Sequence, residues 1–234
     1  LPIYKALGFE RTVEFMRQLG FLGPLDPEEK LLDRFPGDGD RAEGVKEKGW
    51  PEGKMPDPQE GQCEPYLEWH FPKVLKTKAI QIIYSGGSYT GYNPDGFEVA
   101  PARRYLNAKG MTVVTMKYRT PRPLKESGLD KHVTAWQDLQ RTVRIVRGEA
   151  ASRGLDPQKI GIMGSSAGGH LTVLGATSSR HCIYRPVDDL DRIPCNVQWG
   201  IGIYPAYSLT DNVDNHALHG GNEDYDLLVP EFSF

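Results

Sequence analysis

The sequence predicts an α/β protein: a mostly parallel sheet with helices on both faces. Three observations carry that expectation. From about residue 66 to residue 204, short β-branched runs alternate with stretches of helical periodicity. Several of those runs are apolar along most of their length, as strands covered on both faces are. Two glycine-serine turns, at 85–88 and 164–168, directly follow such runs. Right-handed crossovers would bring both turns to one edge of the sheet, where the reactive groups of such folds collect.

Composition narrows the function classes. With 234 residues, 38% of them hydrophobic, the chain can bury a real core. A formal net charge of −3 gives no basic stripe, so neither nucleic acid nor an anionic membrane surface is expected as a partner. Arg103-Arg104 and the arginines at 141, 144 and 147 have helical spacing and read as solvated helix faces. No apolar run is long enough to span a bilayer and the N-terminus lacks a signal-peptide plan, so a soluble chain is expected. Secretion or periplasmic export after removal of a leader stays compatible with it. Cys63, Cys182 and Cys195 form no disulfide-rich scaffold, and no C-x-x-C or H-E-x-x-H run suggests metal; no cofactor is expected. Cys182 and Cys195 either bridge a surface loop or stay free thiols.

The elements follow in order. Val13, Phe15, Met16, Leu19 and Phe21 have helix-like spacing, with Gly20 and Gly23-Pro24 as stops, and predict a short N-terminal helix. From Leu25 to Gln62 turn signals such as Pro36-Gly37-Asp38-Gly39-Asp40 and Pro56-Asp57-Pro58 mark an ordered arm over the domain surface, with disorder as the alternative. Residues 1–62 are therefore read as helix plus arm, and 63–234 as the core domain. Tyr66–Phe71 alternates and suits an edge or second strand; Lys78–Tyr84 is a more buried one. Gly96–Gly110 is helical, with Val99, Ala102, Tyr105 and Leu106 facing inward, and Met111–Met116 is again a buried strand. A long helix opens at Asp130 or Lys131 and reaches about Arg153, its inner face being Val133, Trp136, Leu139, Val143 and Val146. Within it Asp138 reads as a structural partner for a neighbouring loop, and His132 as a cap or surface residue. A strand over 160–163 and a helix over 171–176 flank the second turn. Ser178–Asn196 is charged and loop-like, and Val197–Tyr204 is a strand ended by Pro205.

The chemistry sits in the two turns. Gly164-Ser165-Ser166-Ala167-Gly168 fits G-x-S-x-G between a strand and a helix, where the serine takes a strained backbone conformation and small neighbours let strand and helix approach. That turn lifts Ser166 Oγ above the sheet as a nucleophile. It also aims the Ala167 N–H, at the positive end of the helix, at a point where a carbonyl oxygen would gain charge. Ser85-Gly86-Gly87-Ser88-Tyr89 turns the backbone so that successive N–H groups face one point, which makes Gly87 and Ser88 candidate oxyanion donors. A purely structural glycine-serine turn is the alternative for each.

Taken together, Tyr84–Tyr89, Tyr118-Arg119, the run from Gly154 to His170 and Ile203-Tyr204-Pro205 resemble the serine esterases of the α/β-hydrolase fold. The resemblance is to the branch holding acetyl-xylan and feruloyl esterase-like enzymes, akin to the hormone-sensitive-lipase type, and covers roughly residues 66–207. It implies Ser166 as nucleophile and Gly87, Ser88 and Ala167 as oxyanion donors, and small acyl groups on a carbohydrate such as xylan as the substrate. The family's second motif is usually H-G-G-G, and Ser85 and Ser88 depart from its first and last positions. In this family an Asp or Glu and a His follow the serine, on loops after the next two strands. Those strands are not visible in the sequence pattern after Pro205. His216, His219, Asp211 and Asp214 fall in a polar loop, Thr210–Asp226, and read as lid or surface residues, and His170 as a packed core histidine. The expectation is an α/β-hydrolase sheet without its C-terminal strands. A further C-terminal segment or a companion chain would supply the Asp and His. Tyr89, Tyr92 and Trp199 either line a sugar-facing cleft or pack in core or rim. The rival readings are an α/β-hydrolase peptidase or lipase, and a non-catalytic carbohydrate-binding or scaffold protein that keeps the fold.

Overall fold

The computed structural model describes residues 44–94, 96 and 98–205; the expected N-terminal helix and the 210–226 loop lie outside them. Among the described residues six strands form one sheet: β1 (Val45–Lys48), β2 (Tyr66–His70), β3 (Ile80–Tyr84), β4 (Thr112–Lys117), β5 (Ile160–Ser165) and β6 (Trp199–Ile203). Their spatial order is β1-β2-β4-β3-β5-β6. β1 and β2 join antiparallel, while β4, β3, β5 and β6 run parallel. The connections carry α1 (Ala100–Ala108), α2 (Val133–Ala150) and α3 (Ala167–Thr177).

Period-two alternation along the central strands sends side chains to two separate cores. Ile80, Ile82, Tyr84, Val114, Met116, Ile160 and Ile162 meet Leu139, Val143 and Val146 of α2 and Leu171 and Leu174 of α3. Ile83, Val113 and Met163 point the other way and meet Val99, Ala102 and Leu106. The sheet is therefore covered on both faces, as its continuous apolar strands predict.

The sheet begins inside the stretch read from sequence as an arm. Strand β1, Val-Lys-Glu-Lys, is mostly exposed and pairs residue for residue with β2. Its charges suit an edge, and they also hide it from any search for apolar periodicity. The same stretch then sends Trp50 into the core, where its Nε1 donates to Asp138 at 2.7 Å.

Helix α2 corrects a second expectation. Arg141, Arg144 and Arg147 are not solvated: they are 3%, 3% and 8% exposed. Arg141 grips Asp188 at 2.6 Å and Asp191 at 3.0 Å and donates to the Gly49 carbonyl. Arg144 donates to the Tyr184 hydroxyl at 2.6 Å and to the Ile193 carbonyl at 3.0 Å; Arg147 donates to the carbonyls of Pro157, Pro194 and Asn196. The only regular element of segment 178–196 is one short 3-10 turn, Asp189–Arg192. Guanidinium forks meet its carbonyls at Ile193, Pro194 and Asn196 and its carboxylates at Asp188 and Asp191, and that pairing makes burial of three cations tolerable. The reading of Asp138 as a loop partner agrees with the structure: it bonds the Arg119 guanidinium at 3.0 Å and the Arg119 N–H at 2.7 Å. All three cysteines are free, with Cys182 exposed and Cys195 buried.

Candidate active site

The parallel register fixes where the two turns meet. Tyr84 stands opposite Gly164, and Gly164 opposite Gly202, so β3, β5 and β6 end at the same level. Strand β5 passes directly into α3 through Ser166, whose φ of 51° and ψ of −118° lie where side-chain-bearing residues are rare. Two bonds hold that conformation: Ser166 N–H donates to Ile203 O at 3.0 Å, and Ser166 O accepts from His170 N–H at 3.0 Å.

Close backbone approach explains the glycines. A Cβ on Gly164 would sit 2.4 Å from the Gly168 carbonyl oxygen and 2.5 Å from the Tyr84 ring; one on Gly168 would sit 2.6 Å from the Ser85 carbonyl oxygen. One on Gly86 would sit 2.7 Å from Ser165 O and 3.0 Å from Ser166 Cβ. The loop after β3 therefore lies against the serine itself.

That loop is held from several sides. Gly87, Ser88 and Tyr89 all have positive φ, at 114°, 55° and 59°, so the chain doubles back and turns successive N–H groups the same way. Glu98 accepts the Gly86 N–H at 2.8 Å, and the Tyr118 hydroxyl donates to Ser85 O at 3.0 Å and Gly86 O at 3.2 Å. Tyr89 and His170 share a 2.8 Å hydrogen bond between hydroxyl and Nδ1. Among the described residues no hydrogen bond takes the N–H groups of Gly87, Ser88 or Ala167. The structure thus brings Ser166, Ala167 and the 85–88 loop together at the C-terminal ends of β3 and β5.

The side chains beneath the loop are uncharged at neutral pH. Burial pushes the Tyr89 and Tyr118 phenols up. Burial also pushes the His132 imidazole down to about 4, against an opposing pull from Asp130. His170 is held well below the usual histidine range by burial and then by the proximity of His132. His170 is a packed core histidine, as expected. His132 stands at the N-cap of α2 but is not a surface residue; its ring is buried against His170 at 5.5 Å and Trp136 at 5.9 Å. Tyr89 is fully buried and lines no cleft; Tyr92 packs edge-on to Tyr118, and Trp199 donates to Gln81.

Sequence reasoning missed Glu98 and the Tyr118 hydroxyl. Glu98 also accepts from Tyr204 at 2.5 Å, and burial together with that carboxylate pushes the Tyr204 phenol up to about 12. An acidic residue just before a helix and a tyrosine just after a strand are the available signals, and both are common for other reasons. Among the described residues no hydrogen bond joins a histidine ring to Ser166, and no cluster of His, Cys, Asp or Glu is arranged to hold a metal ion. Nor, among those residues, is any helix long and apolar enough to cross a membrane. Asp211, Asp214, His216 and His219 lie outside the described residues.

The BD-FAE family matches residues 67–223. LipM of Mycobacterium tuberculosis, named a probable carboxylic ester hydrolase, is 28% identical over 154 residues, which is 64% of this chain and 33% of that protein. The acetylxylan esterase of Xylanibacter ruminicola is 29% identical over 145 residues, 62% of this chain and 26% of that one. The chain thus spans a third or less of the length of these curated relatives. Among solved structures, the acetyl ester-xyloside bifunctional hydrolase of Caldicellulosiruptor lactoaceticus superposes with a TM-score of 0.63 at 25% identity, covering 81% of this chain and 68% of that one. A propionate-bound esterase of Thermogutta terrifontis shares the fold at a TM-score of 0.57 and 22% identity, covering 72% and 57%.

Proposed function

The chain belongs to the BD-FAE family of α/β-hydrolases, and from that premise we propose that it carries the nucleophile and oxyanion half of a serine carboxylesterase acting on short acyl esters of carbohydrate. The observation that carries the proposal is the backbone of Ser166: a serine at φ 51° between β5 and α3, beside a loop whose Gly87 and Ser88 N–H groups are unspent among the described residues. Ser166 Oγ attacks the ester carbonyl carbon and passes its proton to a histidine outside the described residues, itself oriented by a carboxylate. The N–H groups of Ala167, Gly87 and Ser88 hold the oxyanion; one such donor is typically worth about 3–4 kcal/mol in the transition state. The C–O bond then breaks, the alcohol leaves with the histidine's proton, and water releases the acid from the acyl-enzyme by the reverse proton path. Two of the relatives, an acetylxylan esterase and an acetyl ester-xyloside bifunctional hydrolase, support acetylated xylan as the substrate class.

The test is turnover of 4-nitrophenyl acetate and release of acetate from acetylated xylan by the full-length protein, with Ser166→Ala and a fluorophosphonate label beside it. Turnover and single labelling, both lost in Ser166→Ala, are the expected result. No label and no Ser166-dependent turnover would overturn the proposal. Turnover of the aryl ester without release from xylan would overturn the substrate class alone.

A further inference from the structure

Tyr89 directly follows Ser88. Its φ of 59° is a left-handed conformation that a bulky side chain holds only when its surroundings impose it. The side chain is fully buried, edge-on to the Tyr118 ring at 5.8 Å. Its hydroxyl meets His170 Nδ1 at 2.8 Å. His170 lies on the first turn of α3, three residues beyond Ala167, and its own N–H bonds Ser166 O. A second ring, that of His132 at the N-cap of α2, backs His170 at 5.5 Å and limits its movement. One end of the Tyr89–His170 bond is therefore fixed to the loop that carries the Gly87 and Ser88 N–H groups, and the other to the helix whose first N–H is that of Ala167.

An oxyanion hole works only while its donors converge on one point, within about 0.5 Å of the productive geometry. Here the donors belong to two backbone segments far apart in sequence. We infer that Tyr89 and His170 are positioning residues for the oxyanion hole, their buried hydrogen bond fixing the distance between the Gly87/Ser88 donors and the Ala167 donor. The inference rests on the esterase reading of Ser166. Both side chains are fully buried. Both are uncharged, so the link is a neutral phenol–imidazole bond that does not depend on pH near neutrality.

Tyr89→Phe removes the hydroxyl and keeps the ring. His170→Leu removes the other partner, whereas His170→Asn keeps a hydrogen-bonding atom near the place of Nδ1. The measurement, on the full-length protein, is the ratio of turnover on 4-nitrophenyl acetate to turnover on its thiono analogue, whose sulfur accepts hydrogen bonds poorly and so gains little from the hole. Loss of folded protein lowers both rates equally and leaves the ratio alone. The expected result is a fall in the ratio of about tenfold for Tyr89→Phe and His170→Leu, with KM changed by no more than about twofold and His170→Asn restored part of the way. An unchanged ratio in both would overturn the inference. Absence of Ser166-dependent turnover in the parent protein would instead overturn the esterase reading. The clamp is then judged by amide hydrogen exchange of Tyr89→Phe. About tenfold faster exchange over 86–91 and 166–170, with 133–150 unchanged, supports it, and unchanged exchange in all three segments overturns it.

Discussion

The junction around Ser166 and the outer flank of α2 both bring polar backbone against a core, and they do so by opposite means. At the junction three backbone segments meet through missing side chains, at Gly86, Gly164 and Gly168. On the flank the segments stay apart and long side chains cross the gap, with Arg141, Arg144 and Arg147 reaching the carbonyls of Gly49, Ile193, Pro157, Pro194 and Asn196. On the flank all three guanidinium groups are engaged by partners within the chain. The junction leaves the N–H groups of Gly87, Ser88 and Ala167 unspent among the described residues. Cohesion and reactivity are thus separated in space, and substitutions on the two sides should fail differently.

The largest effect on stability belongs to the flank. Arg119 and Asp138 are an ion pair with side chains 0% and 1% exposed, and burial already pushes the Asp138 carboxyl up against the pull of Arg119. Arg119→Met leaves that carboxyl buried without its cation, which typically costs about 3–5 kcal/mol. Urea unfolding should show the loss, while Ser166 in the molecules that remain folded should label with fluorophosphonate at the parental rate. A parental midpoint would mean that the pair contributes nothing and that the flank is not held by charge.

Acid should act next, through the histidines under the junction. His132 has a folded pKa of about 4 against an ordinary value of 6.5, so between those values the unfolded chain binds more protons than the folded one. Stability is therefore unaffected by this group above pH 6.5 and falls as the pH drops from 6.5 toward 4, by about 3 kcal/mol in all. His170, shifted in the same direction, adds to the loss. Denaturation midpoints at pH 7 and pH 4.5 should differ more in the parent than in His132→Gln. Equal differences would show that His132 does not titrate in this window.

Gly164→Ala sharpens the contrast from the other side. The added Cβ meets backbone at 2.4 Å, which cannot rotate away. The expected cost is about 2 kcal/mol from overpacking, with a loss of about 100-fold in Ser166-dependent turnover as the elbow shifts. Gly91→Ala, where a Cβ meets nothing within 4 Å, should stay within about 0.5 kcal/mol of the parent. Equal behaviour of the two variants would mean that close approach at Gly164 is not what shapes the turn.

What could be read in the sequence follows the same division. The strand and helix order was legible because parallel strands covered on both faces are mostly apolar and β-branched, as Ile80–Tyr84 and Thr112–Lys117 are. The turn at Ser166 was legible because its requirement for small residues is local, written within five positions. Contacts between distant residues left no such mark. Arg141 looks solvated until Asp188 and Asp191 are folded against it. Tyr89 and His170 are 81 residues apart, and neither position suggests the other. Strand β1 is held by its partner's backbone rather than by any apolar pattern of its own.

The smallest expected effect separates the two things Ser166 does. Its hydroxyl serves the chemistry, while its Cβ occupies a backbone conformation, φ 51° and ψ −118°, that favours glycine. Holding a side-chain-bearing residue there costs on the order of 1–3 kcal/mol. Ser166→Ala removes the hydroxyl and keeps the Cβ, so its stability should match the parent's. Ser166→Gly removes both; relief of strain, offset in part by the greater freedom of glycine in the unfolded chain, should leave it about 1 kcal/mol more stable. Both variants should be inactive, so the difference between their unfolding midpoints measures the backbone alone. A glycine variant no more stable than the alanine variant would place the strain elsewhere than in this residue. A more stable one would show that the site is held in its working shape at the expense of the fold, by close approaches such as that of Tyr84 to Gly164.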